Sequence, residues 1–176
     1  ERFVNRAIRY HNPEHVFHEL IIGSNSERYG LGAVIGYRGK LLRYSDKLDD
    51  ESFLYPDYSG FNGVAVTLRE RSWQLRSLVS QLRDSAAELR TVAGTVERAT
   101  GLIRPFVVAG VTRARNRESG GAFDDLKLSG GLIHKHKRGS VSLEYCRQID
   151  TDRDAGALIA EGTYRLPRNR IEFAGW

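Results

Sequence analysis

Residues 67–100 read TLRERSWQLRSLVSQLRDSAAELRTVAGTVERAT, and their apolar residues recur at steps of three and four. That spacing places apolar side chains on one face of an α-helix and leaves the charged and amide side chains on the opposite face. The apolar set comprises Leu75, Leu78, Val79, Leu82, Ala86, Leu89, Val92, Ala93 and Val96. The pattern predicts one long amphipathic helix over residues 67–100.

Signals for the two ends of this helix are also present. Thr67 and Glu70 have the spacing of a capping box, in which each side chain bonds to a free backbone N–H group of the first turn. Gly101 lies where a helix would stop, and Pro105 follows shortly after it. These residues predict the same boundaries as the apolar spacing.

The remaining segments predict mainly strands. In the N-terminal segment, residues 1–60, residues 15–22 form a short helix or strand, and their apolar spacing favours the helix. Residues 29–37 alternate as a strand, and 38–40 form a hairpin turn to 41–44. Beyond residue 102 the segments alternate with a period of two and are joined by short connections, which favours antiparallel pairing. The predicted strands cover residues 103–113, 126–135, 141–148, 157–166 and 170–174.

The order of these elements predicts one domain. One helix (67–100) and one antiparallel meander (102–176) can form only one hydrophobic core, so residues 1–176 are predicted to be a single domain. Hydrophobic residues make up 40% and charged residues 28%, a balance typical of globular proteins. The predicted fold class is α+β, with an antiparallel β-meander wrapped around one long central helix.

Two further stretches support a resemblance to a known family. Gly60-Phe61-Asn62-Gly63 leads into the predicted helix, and residues 152–164, DRDAGALIAEGTY, combine an Asp- and Gly-containing turn with a strand. This arrangement resembles the hotdog fold of acyl-CoA thioesterases over residues 29–166. The resemblance implies a hotdog-like homodimer that binds or hydrolyses an acyl thioester.

The resemblance also implies site residues. Glu70 would be the general base, and the loop of Asn62 and Gly63 would complete an oxyanion site with the free N–H groups of the helix N-terminus. The chain departs from the family at Asn62, where many members have histidine before two glycines. The residues alone have simpler interpretations: Glu70 as the capping-box partner of Thr67, and Asn62 as a turn residue.

The net charge of +5 favours partners that carry phosphate. Five basic residues on two predicted hairpins form the candidate phosphate site: Arg113, Arg115, Lys135, Lys137 and Arg138. They would hold either the phosphates of coenzyme A or a nucleic-acid backbone. Residues 113–117 contain no aromatic residue for base stacking, so nucleic-acid binding is the weaker alternative.

No metal or cofactor is predicted. The single cysteine, Cys146, excludes an intramolecular disulfide and ligation by paired cysteines. His134 and His136 alternate along one predicted strand, but no third ligand is evident beside them. His11, His15 and His18 form a second loose cluster without a carboxylate partner in the sequence pattern.

Two other classes of protein remain open. The lack of a sharp catalytic constellation is typical of a non-enzymatic subunit of a larger particle. Residues 29–32 and 173–176 would also suit a membrane-spanning sheet, but such a sheet consists of strands throughout, and the predicted helix argues against it.

No apolar run approaches the roughly 18 residues of a membrane-spanning helix. The single cysteine fits a reducing compartment, so a cytoplasmic location is predicted.

Overall fold

The computed structural model describes residues 7–25, 28–35, 61–83, 87–116, 120–149, 154–165 and 170–175. These ranges contain ten β-strands and no helix. The strands are β1 (Ala7–His11), β2 (Phe17–Asn25), β3 (Phe61–Glu70), β4 (Trp73–Arg83), β5 (Ala87–Arg98), β6 (Ile103–Asn116), β7 (Ala122–His136), β8 (Gly139–Ile149), β9 (Asp154–Arg165) and β10 (Arg170–Gly175).

All ten strands form one antiparallel sheet in which every strand pairs with the next along the chain. The connections therefore alternate between the two ends of the sheet. Connections after odd-numbered strands lie at the end that contains Trp73, here called the Trp73 end. Connections after even-numbered strands lie at the opposite end, here called the Arg113 end.

The predicted central helix is wrong, and with it the α+β hotdog-like fold: residues 67–100 comprise the end of β3, all of β4 and all of β5. The apolar residues at three- and four-residue steps are divided between the two faces of β4 and β5. Leu75 and Val79 are exposed on one face of β4, and Leu78 is buried on the other. Alternate side chains of a strand point to opposite faces, so apolar residues on both faces imitate helical spacing.

The expected capping box has a different role in the structure. Thr67 is buried within β3, and Glu70 is the last residue of that strand. The β-branched residues Thr91, Val92, Thr95 and Val96 of β5 fit a pleated strand better than a helix. Tertiary pairing of β3, β4 and β5 has therefore overridden the local signals.

Other predicted elements have mixed outcomes. The short helix predicted at residues 15–22 is wrong, because β2 begins at Phe17. Residues 29–35 form turns and bends rather than a strand, and the hairpin predicted over 38–44 lies outside the described residues. Each of the five strands predicted beyond residue 102 is confirmed, in the expected antiparallel order.

The exposed face of the sheet, here called the outer face, is mainly apolar. Val92 of β5, Val111 of β6, Leu126 of β7 and Ile149 of β8 lie in one cross-strand row, and all four side chains are exposed. Residues between these outer positions, such as Thr91, Thr95 and Glu97 of β5, are buried on the inner face. The sheet thus reverses the usual pattern of apolar inside and polar outside.

Residues 28–35 lie against the inner face. The backbone oxygen of Arg28 accepts a hydrogen bond from Arg76 of β4, while its guanidinium donates to Glu161 of β9. In a flat sheet these two strands would be about 24 Å apart, since neighbours are spaced at about 4.8 Å. The sheet therefore curves, and residues 28–35, here called the inner segment, lie on its concave side.

Adjacent valines of β6 test this division into two faces. Val108 is fully buried, whereas the side chain of Val107 is 54% exposed on the outer face. We expect Val108→Ala to lower the free energy of unfolding by roughly 1.5–3 kcal/mol, because two buried methyl groups are lost and a cavity remains. We expect Val107→Ala to lower it by less, because shortening an outer side chain leaves no cavity in the inner cluster. Denaturant unfolding measures both, and equal losses would contradict the assigned faces.

Candidate functional site: a polar inner face covered by the inner segment

The inner face of the sheet carries polar residues that the alternation of each strand brings together. Ser129 of β7 is buried there, as are Ser142 and Glu144 of β8. Arg76 of β4 and Glu97 of β5 form an ion pair on the same face. A buried polar group is costly unless it is hydrogen-bonded. The partners of these groups therefore show what the inner face is built to hold.

Glu144 is the centre of this arrangement, and it is fully buried. Its carboxylate accepts a hydrogen bond of 2.5 Å from the Ser129 hydroxyl and one of 2.6 Å from the backbone N–H of Leu31. The backbone of Ala33 also bonds to it. The carboxylate thus joins two strands of the sheet to the inner segment.

Two arginines hold the start of the inner segment. Arg28 donates to Glu161 at 2.7 Å and to the backbone oxygen of Leu31 at 2.6 Å. Arg76 donates to Glu97 at 2.5 Å, and its guanidinium lies 4.9 Å from the centroid of the Tyr29 ring. Such cation–π contacts strengthen when both groups are removed from water, as the buried Tyr29 ring is.

Close packing completes the contact. Gly30 has φ of +59°, a conformation that L side chains rarely adopt, and a Cβ atom there would collide with the Phe106 ring. Leu31, Ala33 and Ile35 are buried together with Phe106 and Val108 of β6 in one apolar cluster. The inner segment is therefore held by both apolar packing and charge-assisted hydrogen bonds.

This arrangement is chemically suited to holding the chain rather than to catalysis. The Glu144 side chain accepts hydrogen bonds from backbone and hydroxyl donors, and the inner segment covers it. The charged groups Arg28, Arg76, Glu97 and Glu161 are engaged with one another in ion pairs. A general base or nucleophile needs a substrate within hydrogen-bond reach, and the described residues leave no such opening at Glu144.

The residues predicted from the family resemblance are not brought together. Asn62 and Gly63 lie at the start of β3, at the Arg113 end, whereas Glu70 lies at its far end. Gly63 and Glu70 are seven residue steps apart along β3, a distance of roughly 23 Å. The backbone N–H of Asn62 donates to the Ser80 hydroxyl, and that hydroxyl donates to the backbone oxygen of Asn62. No helix N-terminus stands beside them in the described ranges.

The five predicted phosphate-binding residues divide between the two ends of the sheet. Arg113 and Arg115 lie at the Arg113 end, and Lys135, Lys137 and Arg138 lie at the Trp73 end. Arg113 pairs across the strands with Asp124, and Lys135 is eleven residues further along β7, roughly 36 Å away. They do not form one phosphate-binding rim.

Arg113 is also engaged by a carboxylate. Its guanidinium donates two hydrogen bonds of 2.6 Å to Asp124. These bonds lower the pKa of the Asp124 carboxyl and raise the pKa of Arg113, although both side chains are largely exposed. A phosphate would have to displace Asp124 to reach this guanidinium in a bidentate geometry.

The histidine clusters do not form a metal site. The described residues include no group of three or more His, Cys, Asp or Glu side chains that could hold a metal ion. The rings of His11 and His18 meet edge to face at 4.7 Å, and His15 Nδ1 accepts from the backbone N–H of Phe17. The side chains of His134 and His136 are exposed near the end of β7.

The charged residues of the inner face were not identified from the sequence. One signal was present: Ser140, Ser142 and Glu144 alternate with Val141, Leu143 and Tyr145 along β8. In a typical half-buried strand the apolar set faces the core. Here the polar set is buried, so the alternation distinguishes the two faces, but the usual rule would assign them in reverse.

Comparison with protein-family models, with curated proteins and with solved structures finds no match to this chain. Within the described ranges, no helix could serve as a membrane span. The function must therefore be inferred from the sheet, its two faces and the inner segment.

Removal of the buried carboxylate should release the inner segment. We expect Glu144→Ala to destabilise the fold by roughly 2–4 kcal/mol, because the Ser129 hydroxyl and the backbone N–H of Leu31 lose their shared acceptor in a buried site. Trypsin should then cleave after Arg28 faster than in the wild-type chain, as followed by mass spectrometry of the fragments.

Glu19→Ala is the matched control for this experiment. Glu19 pairs with Arg9 at the edge of the sheet and has no bond to the inner segment. It should leave cleavage after Arg28 unchanged. If Glu144→Ala also left that cleavage unchanged, the carboxylate would not be what holds the inner segment.

Proposed function

We propose that this chain is a non-enzymatic structural protein that acts through the outer face of its sheet. The observation that carries the proposal is an apolar band on that face, which crosses the sheet from Ile8 on β1 to Phe173 on β10. The band includes Ile22, Val64, Leu75, Val79, Val92, Val96, Val107, Val111, Leu126, Leu128, Leu132, Val141, Leu143, Tyr145, Leu158 and Ile171.

The size of the band supports a contact role. The apolar outer side chains of β6 extend from Ile103 to Val111, about 26 Å along the strand, and ten strands spaced at about 4.8 Å then give roughly 1,300 Å² of sheet surface. The largest apolar patch on a typical soluble monomer is about 300–600 Å² and is often functional. A surface of this extent is stable only when another apolar phase or molecule covers it, because its exposure to water is unfavourable.

The other predicted functions have less support. Acyl thioester hydrolysis and acyl-CoA binding remain untested predictions, but the helix N-terminus on which the oxyanion site depends is replaced by β3. Nucleic-acid binding also remains a prediction, and its basic residues lie at opposite ends of the sheet. A homo-oligomer and a cytoplasmic location are two further predictions, and the occupant of the apolar band bears on both.

Turnover of acyl thioesters tests the non-enzymatic part of the proposal. We expect the purified protein to show no hydrolysis of a panel of acyl-CoA esters above the buffer rate. The reason is that Glu70 and the pair Asn62 and Gly63 are too far apart to act on one carbonyl group. Hydrolysis by the wild-type protein that is lost in Glu70→Ala would overturn the proposal.

A charge within the apolar band tests the contact role. Leu128 is 46% exposed within the band, whereas Gln81 is exposed on the same face at the Arg113 end. In buffer without lipid or detergent, we expect the wild-type chain to associate through the band, as measured by light scattering after gel filtration. Leu128→Lys should reduce this association, because a charge cannot be buried unpaired, and Gln81→Lys should not. A monodisperse wild-type monomer would contradict the contact role.

A further inference from the structure

The occupant of the apolar band can be argued from the chemistry of the band. On β6 the outer side chains from Ile103 to Val111 are Ile103, Pro105, Val107, Ala109 and Val111, all without charge. Arg113 is the first charged residue on the outer side of that strand. On its outer side β6 is therefore uncharged over residues 103–112, ten residues of strand, because Arg104 within that range lies on the inner side.

This length fits the hydrocarbon core of a bilayer. A β-strand that crosses the core needs about 9–11 residues when it is inclined by about 45°. Ten residues rise about 33 Å along the strand, which corresponds to roughly 23 Å of height at that inclination. Spanning sheets carry an outward apolar band of about 25 Å.

The cross-strand register shows that the strands are inclined. Tyr10 on β1 and Arg147 on β8 belong to one continuous row of paired residues, through Leu20, Val66, Ser77, Gly94, Ala109 and Leu128. Tyr10 is next to the Trp73 end of β1, whereas Arg147 is near the Arg113 end of β8. A row perpendicular to the strands thus crosses the band diagonally, as inclined strands require.

The two edges of the band differ as the edges of a bilayer-embedded surface do. Tyr10, Trp73 and Tyr164 are exposed on the outer face close to the Trp73 end, and the Arg98 guanidinium lies 5.2 Å from the Trp73 ring centroid. Trp and Tyr are enriched where hydrocarbon meets the headgroup region. At the opposite edge the outer side chains are Arg90, Arg113, Arg115, Asp124 and Arg147.

A second protein copy fits the band less well. A standard interface buries about 800 Å² on each partner, and its energetic centre is rich in Trp, Tyr and Arg. The apolar band is larger, lies on the convex side of a curved sheet, and has mainly Val, Leu, Gly and Ala at its centre. A fluid phase can follow a convex surface over ten strands, whereas one rigid partner contacts only part of it.

We infer that the apolar band lies in the hydrocarbon of a lipid bilayer, which the inclined strands cross. This inference rests on the proposed contact role of the outer face and names the occupant. Pairing within the sheet satisfies the backbone groups of β2 to β9. In the described residues the outer edges of β1 and β10 have no strand partner, so further strand pairing must satisfy their backbone groups in hydrocarbon.

Partition into vesicles tests the inference. The wild-type chain, diluted from urea into phosphatidylcholine–phosphatidylglycerol vesicles, should float with them in a density gradient. We expect Leu128→Lys to lower the partition coefficient by roughly tenfold or more, because a lysine within the hydrocarbon is costly. Gln81→Lys should lower it by less than about fivefold, because its charge reaches the headgroup region.

An environment-sensitive dye separates the possible occupants of the band. It is attached to Leu128→Cys, or to Gln81→Cys as a control, in a Cys146→Ser background. Quenching of the Leu128 label by nitroxide on lipid tails, with protection from aqueous iodide, is expected for the bilayer.

Two other results would overturn the inference in different ways. If the chain does not float but associates with itself and shields the Leu128 label, a second copy covers the band, and the contact role survives. If the chain is a monomer and iodide reaches the label, both the bilayer and the contact role fail.

Discussion

The structure depends on one constraint: ten consecutive strands pair in register, so every residue has a fixed face. In each strand from β4 to β8, every second residue points outward. Leu75, Val96, Val107 and Tyr145 are among these outward residues and lie in one cross-strand row. A shift of one residue in the register of β5 or β8 would move Glu97 or Glu144 to the outer face and an outer valine or leucine to the inner face. The separation of polar and apolar chemistry is therefore a property of the register as a whole.

The inner segment explains how a polar inner face is compatible with a stable sheet. Apolar residues of the segment, such as Leu31 and Ile35, pack on Phe106 and Val108, while Glu144 and Glu161 satisfy its donors. Neither set of contacts is sufficient alone, because the buried carboxylate needs donors and the sheet needs apolar cover on its concave side. The connection between β2 and β3 supplies both from one short stretch.

The sequence allowed part of the fold to be predicted, for a physical reason. Strands β6 to β10 have clear alternation and short connections, and these are local properties. In β4 and β5 apolar residues occupy both faces, because Leu78 and Ala93 contribute to the inner cluster while Val79 and Val92 belong to the band. The spacing resembles that of a helix because it combines the apolar residues of two faces. Only the pairing of β4 with β5 shows which of these residues share a face.

The inner-face site was beyond sequence reasoning for a related reason. Alternation distinguishes two faces but does not say which of them meets water, and the usual assumption would place Glu144 in solvent. Long-range partners decide the question: Leu31 reaches Glu144 across more than a hundred residues, and Arg28 reaches Glu161. Because residues 67–100 contain strands instead of a helix, the argument against a membrane-spanning sheet no longer holds. The inverted polarity of the sheet and the aromatic edge at Tyr10, Trp73 and Tyr164 favour the same environment. An apolar band outside and paired charges inside are stable together when hydrocarbon covers the first and the chain itself covers the second.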